Sequence, residues 1–240
     1  MNEVKLATPE QVFSLGARFV TRVNSLRVSE KRIKDAINNG NDPLWEVVDS
    51  VLSTSFDHLS LWTIFYHTYF GLTTDLSGIR IPAKKDGFDR LIVVAKGMSI
   101  NLVYETGKKN FGSWKWCGDE DLESQMQESE RGLVKESYAF WVRDNQEADE
   151  DLKNWSAQMI ANSKEKIDTE NLLERLLHGF KYWSETRNHL DISTITLCAS
   201  SRYVDGGVPS VRRARDGGVG VSGYVPGNRN DGLRARRVVR

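Results

Sequence analysis

Apolar positions change their period along this chain, and the change divides it into two regions. In "SEKRIKDAINNG" they recur at helical spacing, with Ser29 placed to start a helix and Gly40 to end it. Asp42 and Pro43 then restart a helix as cap and first helical residue. Leu44, Val47, Val48, Val51 and Leu52 follow on one helical face. This helix, or pair of helices, is expected to run to about Phe70. "GLTTDLSGIRIPAKKDG" follows it, rich in Gly, Thr and Pro, and reads as a boundary.

After Phe88 the apolar runs shorten. "RLIVVA" and "SINLVYE" flank Lys96-Gly97 and predict a β-hairpin. "GDEDLESQMQESERG" reads as a solvated loop or exposed helix. "SYAFWVRD" predicts a strand with Tyr138, Phe140 and Val142 on one face, and "EADEDLKNWSAQMI" a short helix burying Ala148, Leu152, Trp155 and Met159. "IDTENLLERLLHGFKYWSE" is the clearest helix. Asp168 is the expected cap, Ile167 and Leu172 the expected staple, and Leu172, Leu173, Leu176, Leu177, Phe180 and Trp183 a wide apolar stripe. "STITLCAS" reads as a core strand with Ile195 and Leu197 inward.

The tail continues with "VPSVRRA", "VGVSGYV" and "LRARRVV", which alternate or run apolar like strands. "RDGG" is a tight-turn signal and "PGNRNDG" a loop. The expected fold class is α+β: a helical N-terminal region over residues 1–85, then a domain over 86–240 built from two helices and short antiparallel strands.

Charge sharpens the contrast between body and tail. The whole chain is formally neutral, yet from Arg202 onward there are nine Arg against Asp205, Asp216 and Asp231, with no Lys or Glu. The tail is therefore basic and the body acidic, a balance that invites a nucleic-acid partner. The two cysteines, Cys117 and Cys198, show no metal-type spacing. The N-terminus has no apolar stretch of signal length, and the most apolar run, Leu59 to Leu72, is shorter than a membrane span and carries His67. The expected compartment is the cytoplasm, with reduced thiols and no membrane contact.

The residues missing from the tail are informative. From Arg202 to the end there is no Lys, Glu, Gln, Met or Trp. A codon AAC or AAT whose adenines are replaced by any base reaches Gly, Arg, Asn, Asp, Ser, Tyr and Val, but never those five residues. An Arg/Gly-biased low-complexity tail would also lack Lys, but it accounts less readily for the loss of Glu and Gln alongside strand-type spacing of Val208, Val211, Val219 and Val221.

"LCASSRYVDGGVPSV", the "VGV" strand and the terminal "LRARRVV" resemble the variable region of the target proteins of diversity-generating retroelements. The likeness extends to the helix "NLLERLLHGFKYWSETRNHLD" and is strongest over residues 200–240. It implies a C-type lectin fold over 86–240, a tail rewritten at adenines by a reverse transcriptase, and a ligand-binding surface made of the rewritten positions. On that basis Val219 and Val221 face the core while Gly220 and Ser222 face outward. Val208 and Val211 are likewise inward, with Ser210, Arg212 and Arg213 exposed. The implied surface comprises Tyr203, Val204, Gly207, Ser210, Arg212, Arg213, Arg215, Gly220, Ser222, Gly223, Tyr224, Gly227, Asn228, Arg229, Asn230 and Gly232. Leu233, Val238 and Val239 read as packing positions. Arg240 departs from the small residue on which the pattern ends.

Other candidate chemistry is thin. His58, His67, His178 and His189 form no metal-type pair, and the first three read as packed or capped. Cys198 lacks a base and an oxyanion site and reads as a buried, inert thiol. "GKKNFGSWKWCGDED" interleaves Lys with Trp114 and Trp116, which would suit a single-stranded nucleic acid; the preferred reading is a loop whose tryptophans close the core. The acidic cluster Asp119 to Glu130 lacks a calcium-loop motif. Two functions follow. One is a non-catalytic protein that binds a macromolecule, expected to be a protein, through a diversified surface and without a cofactor. The other is a nucleic-acid-binding protein that uses the Arg-rich tail.

Overall fold

The computed structural model describes residues 58–240. The helices expected at Ser29–Gly40 and after Asp42-Pro43 lie outside the described residues. The chain divides into two compact units, Met1–Phe65 and Tyr66–Arg240. Helix α1, His58–Phe70, spans the division. The second unit mixes helices with two sheets, so the α+β class holds.

The smaller sheet pairs β1 (Arg90–Val94) with β3 (Tyr138–Val142), antiparallel, with Ile92 opposite Phe140. Both strands are almost wholly buried, which is why they read as continuous apolar runs. The expected hairpin partner of β1 is instead helix α2, Ile100–Phe111. Ser99 decides this locally, since its side chain accepts from the Leu102 amide 3.2 Å away and caps the helix. Ile100, Val103, Tyr104 and Gly107 then bury one helical face. The turn at Lys96-Gly97 is present, with Gly97 at φ +87°, but it leads into this helix.

The larger sheet has the order β2 (Ser113–Lys115), β6 (Val219–Tyr224), β5 (Val208–Arg213), β4 (Ile195–Leu197), β7 (Leu233–Arg234). The turn between β5 and β6 closes with the Ala214 amide donating to the Gly218 carbonyl at 2.8 Å. Two expectations are corrected here. The β2–β6 and β4–β7 pairs are parallel, so the strands are not uniformly antiparallel. "LRARRVV" forms a ladder only at Leu233–Arg234; its later residues make single bridges, Thr169 with Arg237 and Trp141 with Val239.

Helix α5, Leu172–Thr186, is capped by Asn171, not Asp168. The Asn171 side chain accepts from the Glu174 amide and the Glu174 carboxylate accepts from the Asn171 amide, a reciprocal capping box. This displaces the expected Ile167–Leu172 staple from the register it would need. The expected helix over "EADEDLKNWSAQMI" is two pieces: a 3-10 turn at Glu150–Leu152, and α4 at Ala157–Ala161, capped by Ser156. Asn154, at φ +63°, interrupts them, and Met159 ends up exposed while Ala148 and Leu152 are buried. The acidic segment is not only a solvated face: α3, Leu122–Gln125, sends Leu122 and, just beyond it, Met126 into the core.

Both faces of the larger sheet are covered over part of their area. One face carries Leu197, Val208 and Leu233 into a cluster with Leu152, Ala157 and Ile160, and half-buried Ile195 packs against it. The other turns Thr196, Val211 and Val221 toward α5. Val208 and Val211 are therefore both buried, but on opposite faces.

Candidate binding surface

Strand register assembles one exposed face. Trp114 lies opposite Gly220, and Gly220 opposite Arg212, across β2, β6 and β5. Alternation adds Ser222 along β6 and Trp116 just past β2, where the Trp116 amide donates to the Val221 carbonyl at 3.1 Å. Trp114 is 53% exposed and Trp116 44%, which overturns the expectation that these two rings close the core. The signal was the alternation in "SWKW": Lys115 turns to the opposite side, 5.2 Å from the Tyr104 ring.

Tyr203 borders this face. Its ring meets Trp116 edge-on at 5.5 Å, and its hydroxyl donates to the Ser222 carbonyl at 2.9 Å. At 3% exposure it is a wall of the site and not a free side chain. A Cβ at Gly223 would stand 2.8 Å from the Tyr203 ring, whereas one at Gly207 would meet Asp205 Oδ1 first, at 2.9 Å, and the Tyr203 ring only at 3.4 Å. Gly223 can therefore change only if Tyr203 changes with it, and Gly207 only if the Asp205 side chain, which accepts from the Gly207 amide, gives way.

Besides Tyr203, two residues of the expected surface are buried. Ser210 is 2% exposed because it lies opposite Leu197, under the cluster that covers this end of the face. Gly220 is buried because the Trp114 ring lies over it, yet a Cβ there would meet only ordinary contacts, the nearest at 3.5 Å on Ala214. Tyr224 is half-buried against the Leu152 cluster. Val204, Arg212, Arg213 and Arg215 are exposed, and Ser222 is half-buried.

The loop Gly227 to Gly232 forms a second area. Gly227, Asn228 and Arg229 are exposed. The Asn230 side chain accepts from the Gly232 and Leu233 amides at 2.9 and 3.1 Å, so it shapes the entry to β7. Gly227 and Arg229 line an open pocket of about 540 Å³ with Trp155, Ser156, Gln158, Met159, Asn162 and Ser163.

Most arginines nearest the end of the chain are committed internally. Arg236 is buried and donates to Asp191 at 2.7 Å, to the Gln146 and Asn145 carbonyls at 2.8 and 3.0 Å, and to Thr196 at 3.3 Å. Asp191 also accepts from Arg175 at 2.6 Å and from Thr196 at 2.5 Å. The two guanidiniums hold its carboxyl well below the usual range despite burial. Arg234 pairs with Glu150, and Arg237 lies 3.0 Å from Asp151. Arg240 makes a bidentate pair with Glu174 at 2.8 and 2.9 Å and reaches Asp168 at 2.7 Å. Its guanidinium also lies over the Phe140 ring.

The histidines divide. His58 and His67 are exposed, so neither packs into the core, and His178 is buried. His178 Nδ1 lies 2.8 Å from Glu170 Oε1. Burial pushes the Glu170 carboxyl up to about 7 and drives the His178 imidazole well below its usual value. Cys198 is fully buried, and burial raises its thiol well above the usual range, so it is held protonated. Among the described residues no group of three His, Cys, Asp or Glu side chains could hold a metal ion, and no helix is long and apolar enough to cross a membrane.

No family model, curated protein or solved structure matches this chain.

Proposed function

We propose that this chain is a non-catalytic ligand-binding protein that displays a changeable C-terminal surface on a C-type lectin-like frame. The observation that carries the reading is the shared face of β2, β6 and β5. Trp114 and Trp116, which precede the rewritten segment, stand beside Arg212, Gly220 and Ser222, which belong to it. Exposed tryptophans next to an arginine are the residue types that dominate protein interfaces. The fixed rings supply contact area, and the changeable positions supply selectivity. The network around Asp191 ties Arg236 to β4 and α5, so the outward positions can vary on a constrained backbone. The expected partner is a protein met in the cytoplasm.

The test is the DNA that flanks the gene. The reading expects a near-copy of the end of the gene beside a reverse-transcriptase gene, differing at adenines. The differing codons should include those of Arg212, Gly220, Ser222 and Gly227 to Arg229. They should spare Val211, Val221 and Arg236. Absence of the repeat, or differences centred on Val211, Val221 and Arg236, refutes it.

A second reading, nucleic-acid binding, draws on the exposed Arg212, Arg213, Arg215 and Arg229. It loses the support of Arg236 and Arg240, which pair with the buried carboxylates of Asp191 and Glu174, and is weakened at Arg234 and Arg237, which pair with the exposed carboxylates of Glu150 and Asp151. It requires binding to RNA or DNA that weakens steeply with salt and is abolished when Arg212, Arg213 and Arg215 become Ala.

A further inference from the structure

We infer that the pocket between α4 and the Gly227–Asn230 loop is a second binding site, for an acidic peptide segment carrying an apolar side chain beside its carboxylate. The inference rests on the display reading, because one wall of the pocket belongs to the rewritten segment and the other does not. The constant wall is Trp155 to Ser163, and the changeable wall is Gly227 and Arg229. The two are joined by the Gln158 amide, which donates to the Pro226 carbonyl at 2.9 Å, so the pocket keeps its shape when the loop residues change.

Its chemistry selects the ligand. Half-buried Trp155, anchored on the Leu152 cluster, and exposed Met159 form an apolar floor. Gln158, Asn162 and Ser163 add neutral polar groups, and among the described residues no carboxylate lines the pocket. Arg229 is the only charged lining residue among those described. Its one side-chain contact is with the Met159 sulfur at 3.9 Å, so it has no carboxylate partner among the described residues. An anion is therefore the complementary group, and a carboxylate can take the guanidinium in a bidentate pair. The volume, about 540 Å³, suits a small apolar group with one charged neighbour. A nucleic-acid strand is disfavoured, because it needs a track of cations and stacking rings and this pocket has one cation and one half-buried ring. A Cβ at Gly227 would meet only Gln158 Oε1, at 3.6 Å, so a new side chain there extends into the pocket mouth without strain.

The experiment is random-peptide phage display against the full chain and, in parallel, against Arg229→Glu, an exposed substitution that leaves the fold intact. Peptides selected on the wild type should carry Asp or Glu next to an aliphatic or aromatic residue. A synthetic copy should lose at least about tenfold in affinity for Arg229→Glu, as measured by calorimetry. Selection on Arg229→Glu should turn to Lys- or Arg-bearing peptides. Peptides without an acid, or unaffected by Arg229→Glu, overturn the inference, as does competition by a single-stranded oligonucleotide at equal concentration. If the selected peptides instead depend on Trp114 and Arg212, the pocket is not the site and the display reading stands. If they depend on neither area, both readings fall.

Discussion

Replacing Arg236 by Met tests whether the basic tail is structural. The guanidinium makes four hydrogen bonds, to Asp191, Thr196 and the carbonyls of Asn145 and Gln146. Met keeps much of the side-chain volume, so the cavity term is small. Removing one partner of a buried ion pair costs about 3–5 kcal/mol. Leaving the Asn145 carbonyl without its donor adds about 1 kcal/mol, at the low end for buried acceptors, whereas the Gln146 carbonyl keeps the Asp191 amide at 2.9 Å. Against this, Asp191 keeps Arg175 and Thr196 as partners, which places the pair term near its lower limit. The expected loss is about 4 kcal/mol at pH 7. Urea unfolding followed by tryptophan fluorescence reads it as a lowered midpoint at constant m. The same measurement on Arg212→Ala, at an exposed position, should change stability by no more than about 0.5 kcal/mol. A loss below about 1 kcal/mol for Arg236→Met would refute the assignment of Arg236 to the frame.

Three further outcomes are expected. Burial raises Glu170 to about 7 in the folded state, so the wild type should lose stability relative to Glu170→Gln as pH rises from about 4.5 through 7, by about 3 kcal/mol in total. Urea midpoints of the two proteins across that range check the sign, and a flat difference contradicts it. Gly218→Ala places a Cβ 2.5 Å from the Gly112 carbonyl oxygen and should cost about 2 kcal/mol or more, whereas Gly227→Ala should be nearly neutral; thermal melts compare them. Asn171→Ala should cost about 1–2 kcal/mol through the lost cap, and Asp168→Ala, which gives up only a partly exposed contact with Arg240, less than half of that.

Local pattern alone located β1, β3, β4, β5, β6 and α5, because alternation and helical spacing are energies of neighbouring residues. It also separated a basic tail without Lys or Glu from an acidic body. It misread "SINLVYE", where the helix Ile100–Phe111 begins, as a strand, since so short a run fits either period and only the Ser99 cap and the buried helical face break the tie. It named Asp168 as the cap, whereas Asn171, the same kind of capping residue three positions on, takes that role. Arg240, more than fifty residues later, engages the Asp168 carboxylate.

The site was less legible. Ser210 and Gly220 were expected outward on correct alternation, but a strand pattern cannot say what lies over a face. The Leu152 cluster and the Trp114 ring come from distant parts of the chain. The same limit hid the exposure of Trp114 and Trp116 and the pairing of Arg236 with Asp191, forty-five positions apart. Composition counted the charges, but only tertiary structure decided which were neutralised inside the protein and which remain for a partner, because desolvation and pairing depend on contacts that sequence order does not encode.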